Sequence, residues 1–566
     1  MAVALLWALA LCVAPGRAEA APKLVAPASE TRAPAGYRLT AQQVRRIADR
    51  AEKVRSERPK HRRFVPNEYT RGPGQWQVSY FDAKDEVAQV RVDDATGAVL
   101  EQWTGSQVAW TMARGYEGAF GRKLNAPWVW IPLCVLFLAP FFDPRRPFRL
   151  LHLDLLVLLG FSVSHVFFNR GEIGASVPLV YPVLLYLLGR LLLAGLRPAR
   201  THLAQRRRER GRLVPVVPIA WLAVAIVVLV GFRVALNVTD SNVIDVGYAG
   251  VLGADRIVDG DPLYGPGFSR DVERGDTYGP VAYLGYIPFE QALPWSGAWD
   301  DLPAAHGAAL AFDLLALAGL VLLGRRLRPG RAGTELGIAL GFAWAAYPYA
   351  MFALETNSND SLLALVAVGA MLSLTLGPVR GGGAAAARGV VVALGAAAKF
   401  SPIALAPLFA TGTGEGRRSR SWLVFALALV VVLALAFAPF VPDGGVRELY
   451  DRTVGYQSSR PSPFSIWGQF DSLGWLQTAV KVAAVGLALL VAVVPRRRDA
   501  VQVAALAAAV VIAVQLTMTH WFYLYVVWFA PFALVALMFP WRTGPEVDAP
   551  PPIKAESTAH PPAVPA

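Results

Sequence analysis

Residues 216–236 read VVPIAWLAVAIVVLVGFRVAL and run straight into 237–265, NVTDSNVIDVGYAGVLGADRIVDGDPLYG. The first stretch is apolar and long enough to cross ~30 Å of hydrocarbon. The second carries Asp240, Asp245, Asp255, Asp259 and Asp261, so the chain leaves the bilayer there. The same alternation repeats outward in both directions. Spans are expected at 125–142, 150–168, 177–196, 216–236, 303–324, 335–354, 361–377, 421–440, 476–495, 500–519 and 522–541. Every second loop carries arginines: Arg145 and Arg146; Arg206, Arg207, Arg208 and Arg210; Arg325, Arg326 and Arg328; Arg380 and Arg388; Arg417, Arg418 and Arg420; Arg496, Arg497 and Arg498; and Arg542. Positive charge marks the cytoplasmic side, which puts the acidic loop 237–302 on the outer face of the cell membrane and the Pro-rich tail 542–566 in the cytoplasm.

Composition agrees. Of 566 residues, 55% are hydrophobic and 17% charged, with a mean hydropathy of +0.41, too apolar for a soluble chain of this size. The net charge of +13 sits in short loop clusters, which argues against a nucleic-acid partner. Two cysteines, Cys12 and Cys134, build neither a disulfide framework nor a thiolate metal site. Residues 1–20 read as a signal peptide, an apolar stretch ending in Ala18-Glu19-Ala20; no positive charge precedes it, so an uncleaved anchor stays open. In both cases the following segment is exported.

That segment, 21–123, is polar. A helix is expected from Leu39 to Glu57 with Thr40 as cap, then strands at Trp76–Tyr80 and Val87–Val92, a turn at Asp93–Gly97 and a strand at 98–101. The helix, the hairpin and the run VDDATGAVLEQWTG resemble a PepSY domain, which implies a small exported α+β module without catalytic residues. Residues 124–215 then add three accessory spans.

Two apolar runs depart from simple spans. Residues 389–411 have basic flanks on both sides, which predicts a re-entrant hairpin with Lys399 and Pro402 near its tip. Residues 279–293 are too short to cross and are expected to lie along the interface.

Asp245, just past a span end, is placed to act as general base on an acceptor hydroxyl at the depth of a lipid headgroup. Asp240 is the second carboxylate, equally readable as a helix cap. No metal or other cofactor is needed where the leaving group is already a lipid phosphate. Lys399 inside an apolar run costs ~2.5–3.5 kcal/mol unless paired; a donor phosphate and Asp313 are the two partners open to it. Arg460, beside Pro461 and Pro463, offers a planar fork for phosphate. His520, ahead of Trp521, Phe522, Tyr523 and Tyr525, is the less expected member of an aromatic belt. Glu355, Asn357, Asn359 and Asp360 form a polar turn between two spans, suited to capping or to sugar contact.

The ordered series GDPLYG, TYGP, ETNSNDSLLALVAVGAM, GAAAKFSPIALAPL, SSRPSPFSIWGQF and THWFYLYVVWF resembles the GT-C glycosyltransferases, and among them the polyprenyl-phosphate-mannose-dependent enzymes of glycosyltransferase family 87, over 216–541. The resemblance implies a GT-C-like fold; with the spans counted above, this is an α-helical polytopic membrane protein of about eleven transmembrane helices plus a re-entrant hairpin. It implies inverting transfer of a sugar, mannose first, from a polyprenyl-phosphate donor to an outer-face glycan, lipid or protein. It also implies Asp245 as base, donor-phosphate contacts from Lys399, Arg460 and His520, and substrate contacts from Tyr248, Tyr264, Tyr278 and Asn359. Where the family has Y-P-P this chain has Tyr278-Gly279-Pro280, which leaves the sugar open. The competing class is a transporter or flippase for a lipid-linked or polar substrate; the chain shows one broken segment and no second copy of it, which disfavours that class.

Overall fold

The computed structural model describes residues 24–115, 121–196, 216–268, 272, 274–297, 302–376, 382–413 and 420–539. The expected signal peptide, the Arg206 cluster, Arg380, Arg417 and Arg418, and the tail 542–566 lie outside them.

The N-terminal domain is a five-stranded antiparallel meander, β1 (Leu24–Val25), β2 (Val65–Arg71), β3 (Gln75–Asp82), β4 (Asp85–Asp93) and β5 (Val99–Thr104), in that spatial order. Its register pairs Val78 with Val90 and Tyr80 with Ala88. These inward residues, with Trp76 and Val92, pack on Ala41, Val44 and Ala48 of the helix Ala41–Asp49. That helix starts on a full capping box between Thr40 and Gln43. The expected single helix over 39–57 is two, because Ala51 is extended (ψ 137°) before Glu52–Glu57. Strand β2 is absent from the sequence reading, since Pro66, Asn67 and Glu68 break its apolar alternation. The turn at Asp93–Gly97 holds as read: Asp93 accepts from the Thr96 amide (2.8 Å) and hydroxyl (2.6 Å). Asp94 accepts from the Trp76 indole (2.8 Å) and the amides of Arg38 and Leu39, fastening helix to sheet.

The rest is a multi-pass helical membrane domain. Among the described residues six helices are long and apolar enough to span, Leu150–Asn169, Ile173–Gly195, Ile219–Asp240, Pro303–Leu327, Ser421–Phe440 and Gly474–Val493; Gly330–Ala346 with Pro348–Glu355 makes a seventh, bent by 56°. The other expected spans are shorter apolar helices, Pro127–Phe141, Asp360–Leu374, Ala500–Gln515 and Tyr523–Met538. At 1.5 Å per residue the shorter ones fall below the ~30 Å hydrocarbon thickness. Three of them occupy the centre: Val526–Met538 is buried along its whole length, and Ala500–Gln515 and Asp360–Leu374 along most of theirs. The long helices Ile219–Asp240, Ser421–Phe440 and Gly474–Val493 form an apolar, outward-facing periphery.

The segment 383–411 turns back on itself. Gly383–Ala398 descends, Lys399 breaks it in an extended conformation, and Ser401–Leu405 with Ala406–Thr411 returns. Arg388 near one open end donates to the Phe409 carbonyl near the other (2.9 Å), which closes the hairpin. Residues 279–293 form two short helices, Pro280–Leu284 and Ile287–Ala292. Gly279 permits the first to lie against the hairpin tip, for its amide donates to the Ala398 carbonyl and an added Cβ would stand 2.1 Å from the Ala397 carbonyl oxygen.

Asp313 is not the partner of Lys399. Arg233, from Ile219–Asp240, reaches it first with a bidentate fork (Nη2–Oδ1 2.6 Å, Nε–Oδ2 3.0 Å), and the Trp344 indole and Ala345 carbonyl complete the set. Both charges are fully buried, so each depends on the other. Arg233→Met is expected to destabilise the protein by about 3–5 kcal/mol, and Arg233→Met with Asp313→Leu to recover most of it; thermal unfolding in detergent reads both, and equal loss in single and double variants refutes the pairing.

Candidate active site

The acidic loop is clamped at its start. The amides of Asn242 and Ile244 donate to the carbonyls of Glu355 (3.2 Å) and Thr356 (3.1 Å). Asn357, at φ 50°, donates its side-chain amide to Ser241 Oγ (2.8 Å) and the Asn242 carbonyl (3.1 Å), and accepts from Asn237 (2.9 Å). Asparagine tolerates this left-handed backbone better than most residues. Gly247 leaves no room for a side chain, since a Cβ would lie 2.1 Å from the Asn357 carbonyl oxygen. The polar turn read as caps is thus the seat on which Asp245 stands, in the first turn of the helix Asp245–Asp259.

Asp245 is reached by solvent, yet protein surrounds it closely enough to raise its pKa above the ordinary aspartate value. The two facts describe a recess: a probe enters, but the walls desolvate the carboxylate. Burial is the largest cause; Arg460, the Val246 amide and Lys399 pull the other way. One oxygen accepts from Val246 N–H (2.9 Å), and no cation lies within ion-pair distance among the described residues. Such a carboxylate is open to an incoming hydroxyl and retains a proton affinity suited to a base.

Lys399 pairs with Asp360, whose Oδ1 also accepts from the Trp528 indole (2.7 Å). Its ammonium lies over three rings, Trp528 at 5.0 Å, Tyr278 at 5.6 Å and Tyr525 at 5.8 Å. The sequence expectation for Asp360 is a cap or a sugar contact, not a partner for Lys399; Tyr525 is expected only in an interfacial belt, and Trp528 stands out only inside the motif THWFYLYVVWF. Only the hairpin turn brings Lys399 to them. Arg460 is half-buried, with its guanidinium 4.6 Å from the Trp110 ring and no carboxylate within 4 Å among the described residues. His520 shares a hydrogen bond between Nδ1 and Ser462 Oγ (2.9 Å). Burial, Arg460 and Lys399 lower its pKa to about 3, so it is a neutral imidazole at physiological pH.

The remaining residues divide. Tyr278 faces Lys399, and burial together with the Asp245 charge holds its phenol protonated well above the ordinary range. Tyr264 is buried and donates to the Tyr278 carbonyl (2.8 Å), supporting the turn from below. Tyr248 is buried against Trp295, and Asn359 is buried with its Oδ1 unpartnered among the described residues. Asp240 accepts from the Lys123 amide (3.0 Å) and pairs with its ammonium (3.4 Å), tying the chain's entry into the membrane domain to the end of a span. The two loops that bear Asp245 and Arg460 are joined by Asp276 with Arg452 (2.8 Å) and by Gln457 with Thr277 (2.9 Å).

Residues 277–520 match glycosyltransferase family 87. The resemblance therefore holds from the TYGP turn to His520; Tyr278, Asn359, Lys399, Arg460 and His520 fall inside the matched stretch, while Asp240, Asp245, Tyr248 and Tyr264 precede it. No curated protein matches the chain. Among solved structures it is similar to ArnT from Cupriavidus metallidurans bound to undecaprenyl phosphate, at 16% identity and a TM-score of 0.37, over 57% of this chain and 60% of that one.

The Asp245 environment gives a pH test. A base must be ionised, so activity rises with pH through its pKa, and the raised value moves that acidic limb above the ~3.9 of a free aspartate. Arg460 lowers the pKa, so Arg460→Ala is expected to shift the limb to still higher pH in a pH–rate profile; a shift to lower pH contradicts the assignment.

Proposed function

We propose that this protein is an inverting glycosyltransferase that takes mannose from a polyprenyl-phosphate donor on the outer face of the membrane. The observation that carries the reading is Asp245, a solvent-reached carboxylate in a desolvating recess, with the guanidinium of Arg460, free of any carboxylate within 4 Å among the described residues, acting on it and an apolar pocket close by. That pocket is lined by Leu363, Val366, Val392, Leu405 and Phe532, and by Trp528, the residue that touches Asp360 and Lys399. At about 30 Å³ the pocket holds no polyprenyl chain as it stands; its apolar wall, continuous through Trp528 with the cation at Lys399, is the kind of surface along which a lipid tail lies with its phosphate toward the cations.

In the reaction, Asp245 takes the proton of an acceptor hydroxyl as its oxygen attacks the anomeric carbon. The new carbon–oxygen bond forms as the bond to the phosphate oxygen breaks, and polyprenyl phosphate leaves with the electron pair. Arg460 offsets the developing charge with its free N–H edge. Neutral His520 contributes a hydrogen bond rather than charge, and Lys399, held by Asp360, contributes field from the hairpin tip. Inversion and mannose follow from the family resemblance.

Asp245→Asn keeps the side chain's shape and removes its basicity. Membranes carrying the variant are expected to lose transfer of radiolabelled mannose from polyprenyl-phosphate-mannose by about 10²- to 10⁴-fold at unchanged protein level. Undiminished transfer removes Asp245 from catalysis, and no transfer by the wild type from mannosyl or pentosyl donors favours a transporter. Orientation is tested separately. With Cys134 replaced by Ser, a cysteine at exposed Val446 is expected to react with an impermeant thiol reagent in intact cells. Protection there until lysis reverses the topology.

A further inference from the structure

The segment leaving strand β5 is built to reach the membrane domain. Gly105 (φ 56°) turns the chain into the helical turn Ser106–Ala109, Trp110 follows, and a second turn covers Thr111–Arg114. The buried guanidinium of Arg114 folds back on the carbonyls of Gln107 (2.8 Å) and Val108 (3.1 Å). Gln107 donates to the Ala113 carbonyl (2.9 Å) and to the carbonyl of Gly171 (3.1 Å), in the turn between two accessory spans. Gly115 seals the contact, since a Cβ there would stand 2.0 Å from the Gly171 nitrogen. This knot holds Trp110 outside the core of the sheet domain and inside the apolar cluster of the membrane domain. There its ring meets Arg460 (4.6 Å), Phe464 (5.4 Å) and His520 (5.5 Å).

We propose that Trp110 is a positioning residue for Arg460, so that the N-terminal domain completes the donor-phosphate site of the membrane domain. The inference rests on the glycosyl-transfer reading above. An arginine side chain has several rotatable bonds, and no carboxylate fixes this one within 4 Å among the described residues. The indole face supplies the restraint instead. Stacking on the face leaves the N–H edge of the guanidinium free, which is the edge that pairs with phosphate. The accessory spans gain a purpose from the same contact: the Gly171 turn is the anchor that holds the knot at the site.

The test compares wild type, Trp110→Ala, Trp110→Phe, Arg460→Ala and the Trp110→Ala/Arg460→Ala double variant, each full length in lipid nanodiscs. Affinity for a polyprenyl monophosphate and the KM and kcat of sugar transfer are measured. Trp110→Ala is expected to weaken lipid binding and raise donor KM by roughly two- to thirty-fold, the range of a cation–π contact, with kcat little changed. Trp110→Phe should retain most of the affinity, and the double variant should be no worse than Arg460→Ala alone. Wild-type KM in Trp110→Ala, or additive losses in the double variant, overturns the proposal. If the wild type neither binds the lipid nor transfers sugar, the glycosyl-transfer reading falls. Hydrogen exchange over 456–462 then decides the contact itself: Trp110→Ala accelerates it if the indole holds Arg460, and unchanged exchange refutes that role.

Discussion

A lysine and an aspartate buried together, Lys399 and Asp360, set the geometry of the site end of this molecule. Neither charge is tolerable alone in a low-dielectric interior, so the hairpin tip, the start of Asp360–Leu374 and the helix Val526–Met538 are held in one arrangement by the ion pair and the Trp528 indole. The three rings around the ammonium come from two distant parts of the chain, Tyr278 from the outer loop and Tyr525 with Trp528 from the last helical segment, and they keep it from water. For the phosphate-bearing donor proposed above, a cation so fixed is an advantage, because its field needs no reorganisation when the ligand arrives.

Around that node the membrane domain separates two tasks by helix length. The long peripheral helices face outward with apolar side chains, while the short central ones need not reach both surfaces because their neighbours surround them. The space left above a short helix is where non-helical backbone is allowed, since it lines a polar recess instead of lipid. The hairpin break at Lys399 and the turn after Glu355 use that space. Polar links across the recess, Asp276 to Arg452 and Gln457 to Thr277, keep the two long loops in register so that Asp245 and Arg460 address the same volume.

The N-terminal domain is joined to this arrangement and not merely tethered beside it. Asp240 binds Lys123, the Gly121 amide donates to Asn242 (3.0 Å), and the Gln107–Gly171 contact fixes a third point. Each lies on the same end of the bundle as Asp245, so the domain and the recess share one surface.

Local pattern was enough for whatever depends on local physics. Hydropathy located the long apolar helical segments of the membrane domain to within about six residues, because lipid forces each to satisfy its own backbone hydrogen bonds, but not the short helices of the outer loop, such as Gly445–Tyr450 and Ile466–Gln469. Basic residues at both ends of 389–411 were enough to require a hairpin, and the alternation in Trp76–Tyr80 and Val87–Val92 located the strand pair. Asp245, Lys399, Arg460 and His520 were legible as unusual residues at their depths. Their partners were not. For Lys399 the sequence offered a donor phosphate or Asp313 and not Asp360; packing pairs it with Asp360 because the hairpin turns back toward Trp528, while Asp313 is held by Arg233 from the neighbouring helix. Strand β2 escaped notice because its pairing with β3, not its own alternation, makes it a strand. Nothing near Trp110 in sequence names Arg460 or His520. Such contacts join residues hundreds of positions apart, and sequence periodicity carries no record of which distant faces a folded chain will bring together.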